Sequence, residues 1–151
     1  MKKIGIISDT HGWLDIPVMN ALDKCDEIWH AGDIGSEEVY DKLAAMKPLR
    51  AVYGNMDGGN LRYVMLRQFE FFHCEEVPVL LTHIGGYPNR YAFEAHQKIV
   101  ACRPKLFVCG HSHILKVQYD KHLNMLCVNP GAAGMSGQHL VRTVIRLEID
   151  G

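Results

Sequence analysis

The 151 residues suit one domain, long enough to bury roughly two thirds of its unfolded surface without metal or disulfide staples, so any bound metal is expected to serve chemistry rather than folding. Sixteen basic and 17 acidic residues nearly cancel, which leaves no broad electrostatic footprint for nucleic acid or an anionic membrane, although a local metal charge would still suit a small phosphate ligand. Five scattered cysteines without a Cys-x-x-Cys read as reduced and mostly buried, and no apolar run has the length of a signal-peptide core or a bilayer span; a soluble cytoplasmic protein is expected.

The first element, Ile4 to Ile7, is a short apolar run that ends in Ser8-Asp9-Thr10-His11, as a buried strand would that carries polar groups at its C-terminal end. Asp15-Ile16-Pro17 opens a helix with Val18, Met19, Ala21 and Leu22 on one side. A second strand over 26–31 ends in Gly32-Asp33, and Ser36 caps a helix running to about Met46, with Glu37 and Glu38 against its N-terminal dipole. Leu49 to Tyr53 is a third strand with the exit Gly54-Asn55-Met56-Asp57. This β-α-β-α-β order implies a parallel sheet with right-handed crossovers.

Residues 61–72 allow a short helix or loop passing into a strand. Val77 to Thr82 is a strand ending at His83, followed by a loop over 84–89 and a helix over Arg90 to Cys102 that Pro104 closes. Lys105 to Cys109 leads to Gly110-His111-Ser112-His113. Thereafter the pattern changes to hairpins, Ile114 to Tyr119 and Asn124 to Val128, then the loop Asn129-Pro130-Gly131 and a last alternating strand over Leu140 to Ile149. With no linker or repeat, one α/β domain (residues 1–151) with two packed sheets is expected.

The chemistry gathers at strand exits: Asp9 and His11, Asp33, Asn55, His83, His111 and His113. Singly, each has an ordinary explanation as an Asx turn, a loop residue beside glycine or a capped strand end. Jointly, five strand exits would each have acquired an oxygen or imidazole ligand by chance. Of the remaining histidines, His73, His96, His122 and His139 suit surface or packing roles, and His30 stands close enough to Asp33 to support it. Seven ligands without cysteine fit a closed structural zinc site poorly and suit two cations about 4 Å apart with a bridging carboxylate, for which Asp33 is placed best. Mixed carboxylate, amide and imidazole ligation favours manganese, iron, zinc or nickel over calcium or magnesium, and ligand type does not decide among them; manganese is the first expectation.

Asp9-x-His11, Gly32-Asp33, Gly54-Asn55-x-Asp57, Thr82-His83 and Gly110-His111-x-His113, in that order, resemble the calcineurin-like metallophosphoesterases. The short length and the Asn129-Pro130-Gly131 loop are similar to the small YfcE-type phosphodiesterases. The resemblance implies a four-layer α-β-β-α sandwich of two mixed sheets flanked by helices. It also implies one metal on Asp9, His11, Asp33 and His113, and a second on Asp33, Asn55, His83 and His111. The implied activity is hydrolysis of a small phosphate ester by a hydroxide bridging two cations. Where many relatives have a further histidine, this chain has Met56 and Ile84-Gly85-Gly86, which leaves Asp57 as a weak candidate general acid. The alternative is a scaffold like the retromer subunit Vps29, with Trp13 and Tyr87 on a partner surface; a nucleotide-binding domain lacks its glycine-rich loop, and self-association is left open.

Overall fold

The computed structural model describes residues 1–137 and 141–151. Its first half alternates as the hydrophobic periodicity requires: β1 (Lys2–Ile7), α1 (Ile16–Asp23), β2 (Glu27–His30), α2 (Glu37–Met46) and β3 (Leu49–Ala51). The first three strands run parallel, in the order β1-β2-β3, and β11 (Ile145–Ile149) closes the outer side of β1 antiparallel, with Lys2 opposite Ile149. A second, five-stranded sheet has the order β4-β5-β8-β10-β9, from β4 (Phe69–Cys74), β5 (Val77–Thr82), β8 (Leu106–Val108), β9 (Leu115–Asp120) and β10 (Met125–Pro130). In it β5, β8 and β10 are parallel. Both halves of the chain therefore send parallel strands toward the same kind of exit.

The apolar residues place the layers. Ile4, Ile6 and Trp29 from the first sheet meet Phe72, Val79, Leu81 and Val108 from the second in a dry inter-sheet core, where the Trp29 and Phe72 rings stack edge-on at 5.0 Å. Each fully buried side chain of this kind contributes roughly 1.5–3 kcal/mol relative to exposure. The opposite face of the first sheet, with Ile7 and Ile28, is covered by Val18 and Leu22 of α1 and Val39 and Leu43 of α2. Ala95 and Ile99 of α3 (Phe93–Cys102) cover Leu80, Phe107 and Met125 on the second sheet. The result is helices, sheet, sheet, helix, the mixed two-sheet α/β sandwich expected from the sequence.

Local chemistry sets the element boundaries. Asp15 caps α1 by accepting from Val18 N at 3.2 Å, and Ser36 caps α2 by accepting from Val39 N at 3.3 Å. Two expectations need correction, and the short helix passing into a strand over 61–72 is borne out. The third helix begins at Phe93 and not at Arg90, because Arg90 and Tyr91 (β7) pair with Gly86 and Tyr87 (β6) in a small hairpin. Leu61–Met65 is a single wide π-helical turn and the strand after it begins at Phe69. The last strand starts at Ile145, where β1 provides a partner; Val141 is exposed, and Leu140 lies outside the described residues, as does His139. All five cysteines are free thiols, four of them buried, and no helix among the described residues is long and apolar enough to cross a bilayer.

Candidate metal centre

The strand exits do more than end strands: they reverse sharply. Asp9, His11, Asp33, His111 and His113 have φ of 55°, 47°, 55°, 72° and 64°, in the left-handed region that side chains with a Cβ rarely occupy. Asp, Asn and His are the types that tolerate it best, and strained backbone of this kind costs on the order of 1–3 kcal/mol per residue unless the surroundings hold it. Here they do. Asp9 N, His11 N and Gly12 N donate to the carbonyls of Gly32, Asp33 and Ile34, lacing the β1 exit to the β2 exit, and Gly110 N donates to His83 O across the second sheet.

Close approach is also written into the glycines. A methyl group at Gly54 would overlap Asp33 Oδ1, and one at Gly110 would overlap Ser8 Oγ and crowd Asp9 Oδ2. The residue before Asn55 and the residue before His111 must therefore lack a side chain, so that neighbouring exits can touch. The Gly-ligand pairs of the sequence have this steric origin.

The two carboxylates are each half used. Asp9 Oδ2 accepts from Ser8 Oγ at 2.6 Å and His111 N at 3.0 Å, and Asp33 Oδ1 accepts from Met56 N at 2.8 Å. Asp9 Oδ1 is left fully buried without a hydrogen-bond partner, 3.5, 3.8 and 3.2 Å from the Nε2 atoms of His11, His83 and His113. Asp33 Oδ2 lies 3.1 Å from His83 Nε2 and 3.6 Å from His11 Nε2. His11 Nε2 and His83 Nε2 are likewise buried without a hydrogen-bond partner. An unpartnered buried carboxylate oxygen costs several kcal/mol, a cost that a cation among these atoms would offset. Two clusters emerge, Asp9 with His11 and His113, and Asp33 with His83 and His111, the ligand atoms within each lying inside 4.8 Å of one another. Asp33 Oδ2 reaches toward both.

Electrostatics shift the two partners in opposite directions. Burial would raise the Asp33 carboxyl, but the His83 imidazole and the Met56 N–H outweigh it and keep the group below the usual carboxylate range. Burial would lower His83, yet the Asp33 and Asp9 carboxylates win and its imidazole is raised. The Ala31 carbonyl, 2.7 Å from His83 Nδ1, can only accept, so the neutral ring carries its proton on Nδ1 and turns the Nε2 lone pair to the centre.

Residues outside the candidate ligand set do the bracing. Ser8 orients Asp9; the only signal was a hydroxyl at the end of an apolar strand. Asn129 donates to Gly110 O at 3.0 Å and Ser112 Oγ at 3.1 Å, clamping the turn that carries His111 and His113. His30 touches no ligand side chain. It accepts from Gly32 N at 3.0 Å on Nδ1 and lies 3.0 Å from Thr10 Oγ1 through Nε2, while Thr10 donates to Ile34 O at 2.8 Å. That chain is fully satisfied by a neutral ring, and burial pulls the His30 pKa down from 6.5 to about 4.

Asn55 sits on an exposed turn and lines a cavity with His83, Thr82 and Arg62. Asp57 does not turn to the centre. Its buried carboxylate accepts from Ile34 N at 3.1 Å, Gly35 N at 2.9 Å and Gly54 N at 2.9 Å, the geometry of a brace between the β2 and β3 exits rather than of a proton donor. Met56 and Ile84, at the positions where many relatives have a further histidine, are exposed apolar side chains. His73, His96 and His122 are exposed, away from the clusters.

Comparison with known proteins agrees with this geometry. The family model described as the calcineurin-like phosphoesterase superfamily domain matches residues 1–151. A protein of Methanothermobacter thermautotrophicus described as a "probable metallophosphoesterase" is 29% identical over 136 residues, covering 85% of this chain and 76% of the relative. Among solved structures, Vps29 of Chaetomium thermophilum superimposes with a TM-score of 0.81 at 18% identity, covering 100% of this chain and 84% of that one. The phosphoesterase Yfce of E. coli does so with a TM-score of 0.60 at 18% identity, covering 86% and 79%. With its whole length matched by the family model, the chain belongs to the calcineurin-like phosphoesterase superfamily.

Proposed function

We propose that this protein is a phosphodiesterase that works with two divalent transition metal ions, manganese foremost, held by Asp9, His11 and His113 on one side and by Asn55, His83 and His111 on the other, with Asp33 between. The observation that carries the reading is Asp9 Oδ1, fully buried, without a hydrogen-bond partner and facing three imidazole nitrogens. Two cations bound there would activate a water and neutralise charge on the phosphate oxygens. The rest falls to the chain. Asp9 and Asp33 set the spacing, His83 is held in the right tautomer by Ala31 O, and Asn55 stands on the exposed side where a phosphate would arrive.

A diester is favoured because two cavities flank the ligands. One of about 280 Å³ lies beyond His83 and Asn55 and one of about 270 Å³ beyond His111, with Ile84 lining both. Each has room for one organic arm of a phosphodiester, whereas a monoester would leave one empty.

Among the described residues, neither the positions where relatives carry a further histidine nor Asp57 offers a proton to the leaving group. Met56 and Ile84 have no proton to give, and Asp57 spends both oxygens on backbone N–H groups. We infer a preference for esters with good leaving groups. A series of aryl diesters should show kcat/KM falling steeply as the leaving-group pKa rises; a flat series with chemistry rate-limiting would sink this part of the reading.

The scaffold alternative gives no reason to keep a carboxylate oxygen buried and unpartnered at such cost. Metal analysis of the purified protein, together with hydrolysis of bis(p-nitrophenyl) phosphate with and without chelator, separates the two. The expected result is about two metals per chain and activity that chelator removes and manganese restores. No bound metal and no metal-restored activity would favour the scaffold.

A further inference from the structure

The cavity beyond His111 has a chemistry of its own. Its wall is formed by Ile84, Tyr87 and Ile114, which remain 45%, 41% and 65% exposed, so three large apolar side chains stand around one concavity instead of being scattered over the surface. Its rim carries two cations, Arg90 and Lys116. Neither forms an ion pair with a carboxylate among the described residues, and Lys116 Nζ lies 4.0 Å from the centre of the Tyr87 ring. The cavity is a built feature of two hairpins: Tyr87 and Arg90 face each other across β6 and β7, and Lys116 stands on β9 opposite Asn129, the residue that clamps the His111 turn.

We propose that this cavity receives one arm of the diester, and that the preferred arm is an aromatic ring bearing a second negative charge. The inference rests on the phosphodiesterase reading and names its substrate class. The apolar wall with Tyr87 selects a flat ring over a small alkyl group, because stacking and burial are realised only by the larger arm. The two cations without a carboxylate partner select a ring that carries a carboxylate or a further phosphate, since the first offsets part of their charge and the second nearly all of it. The volume of about 270 Å³ holds one substituted ring, not an extended chain. His111, in the lining, places that ring next to the reacting phosphorus.

The test uses the full-length, manganese-loaded protein and three diesters that share a p-nitrophenyl leaving group and differ in the other arm: methyl, phenyl and 4-carboxyphenyl. Wild type should gain about tenfold in kcat/KM from methyl to phenyl and about tenfold again to 4-carboxyphenyl, mostly through KM, the second gain shrinking with added salt. Tyr87→Ala should remove most of the first gain and Lys116→Gln most of the second, in variants whose melting temperatures match wild type. Equal rates on all three esters, or an ordering that survives both substitutions, would overturn the proposal. If none of the three is hydrolysed, the phosphodiesterase reading itself falls. Calorimetric binding of 4-carboxyphenyl phosphate then judges the cavity alone: weaker binding to Lys116→Gln supports it, and unchanged binding refutes it.

Discussion

Asp33 places one carboxylate oxygen on the Met56 N–H and the other between His83 and His11, so its replacement acts on both clusters at once. Asp33→Asn is expected to bring metal content from about two per chain to near zero with the fold intact, measured by elemental analysis beside circular dichroism. Asp57→Ala should behave differently. Two buried N–H groups and a part-buried one would lose their acceptor, costing roughly 2–3 kcal/mol or more in urea unfolding, while metal stoichiometry survives at saturating metal. His30 gives the pH dependence. Its pKa is about 4 in the folded protein against 6.5 unfolded, so the unfolded chain takes up the proton first. The stability tied to the neutral ring is complete above pH 6.5 and is lost as the pH falls toward 4, on the order of 3 kcal/mol over that window. Unfolding in chelator at pH 7 and pH 4 should show the advantage of wild type over His30→Gln shrinking by about that amount; a constant difference would contradict the assignment.

The working elements of this protein are strand exits, and a strand exit is a backbone problem before it is a chemical one. Five candidate ligands sit at positive φ, and glycines stand where a neighbouring exit presses against the chain. Gly54 tests the point, because its obstacle is steric. Gly54→Ala should displace Asp33, reduce metal occupancy and cost roughly 1–3 kcal/mol, read by metal analysis and thermal melting. The sequence marked these exits as an apolar run followed by a glycine or a hydroxyl residue and then a candidate ligand. It did not mark Arg90 and Tyr91 as a strand, because helical spacing of Ala92 and Ala95 continues back through them and only pairing with Gly86 and Tyr87 decides otherwise. Val141 and Thr143 alternate like the true strand over Ile145–Ile149, yet β1 offers ladder partners only from Ile6 to Lys2.

At the scale of the whole molecule the centre joins the two sheets. Asp9, His11, Asp33 and Asn55 leave the first sheet, while His83, His111 and His113 leave the second, so cations held as proposed would act as a staple across the sandwich. Binding to the folded state alone stabilises by about 2.7 kcal/mol per site at a hundredfold excess over Kd. Chelation should therefore lower Tm by roughly 5–10 °C or more, and manganese should restore it; a Tm indifferent to chelator would speak against a metal that bridges the sheets. By itself, the sequence determined which residues are candidate ligands and which strands are buried, because hydrophobic period and residue type are local properties of the chain. Only the tertiary structure decided how each ligand is used. That Asp9 keeps one oxygen free, that Asp57 braces backbone, and that Ile84 and Tyr87 wall a cavity with Lys116 all depend on contacts between segments far apart in the chain, which no local pattern encodes.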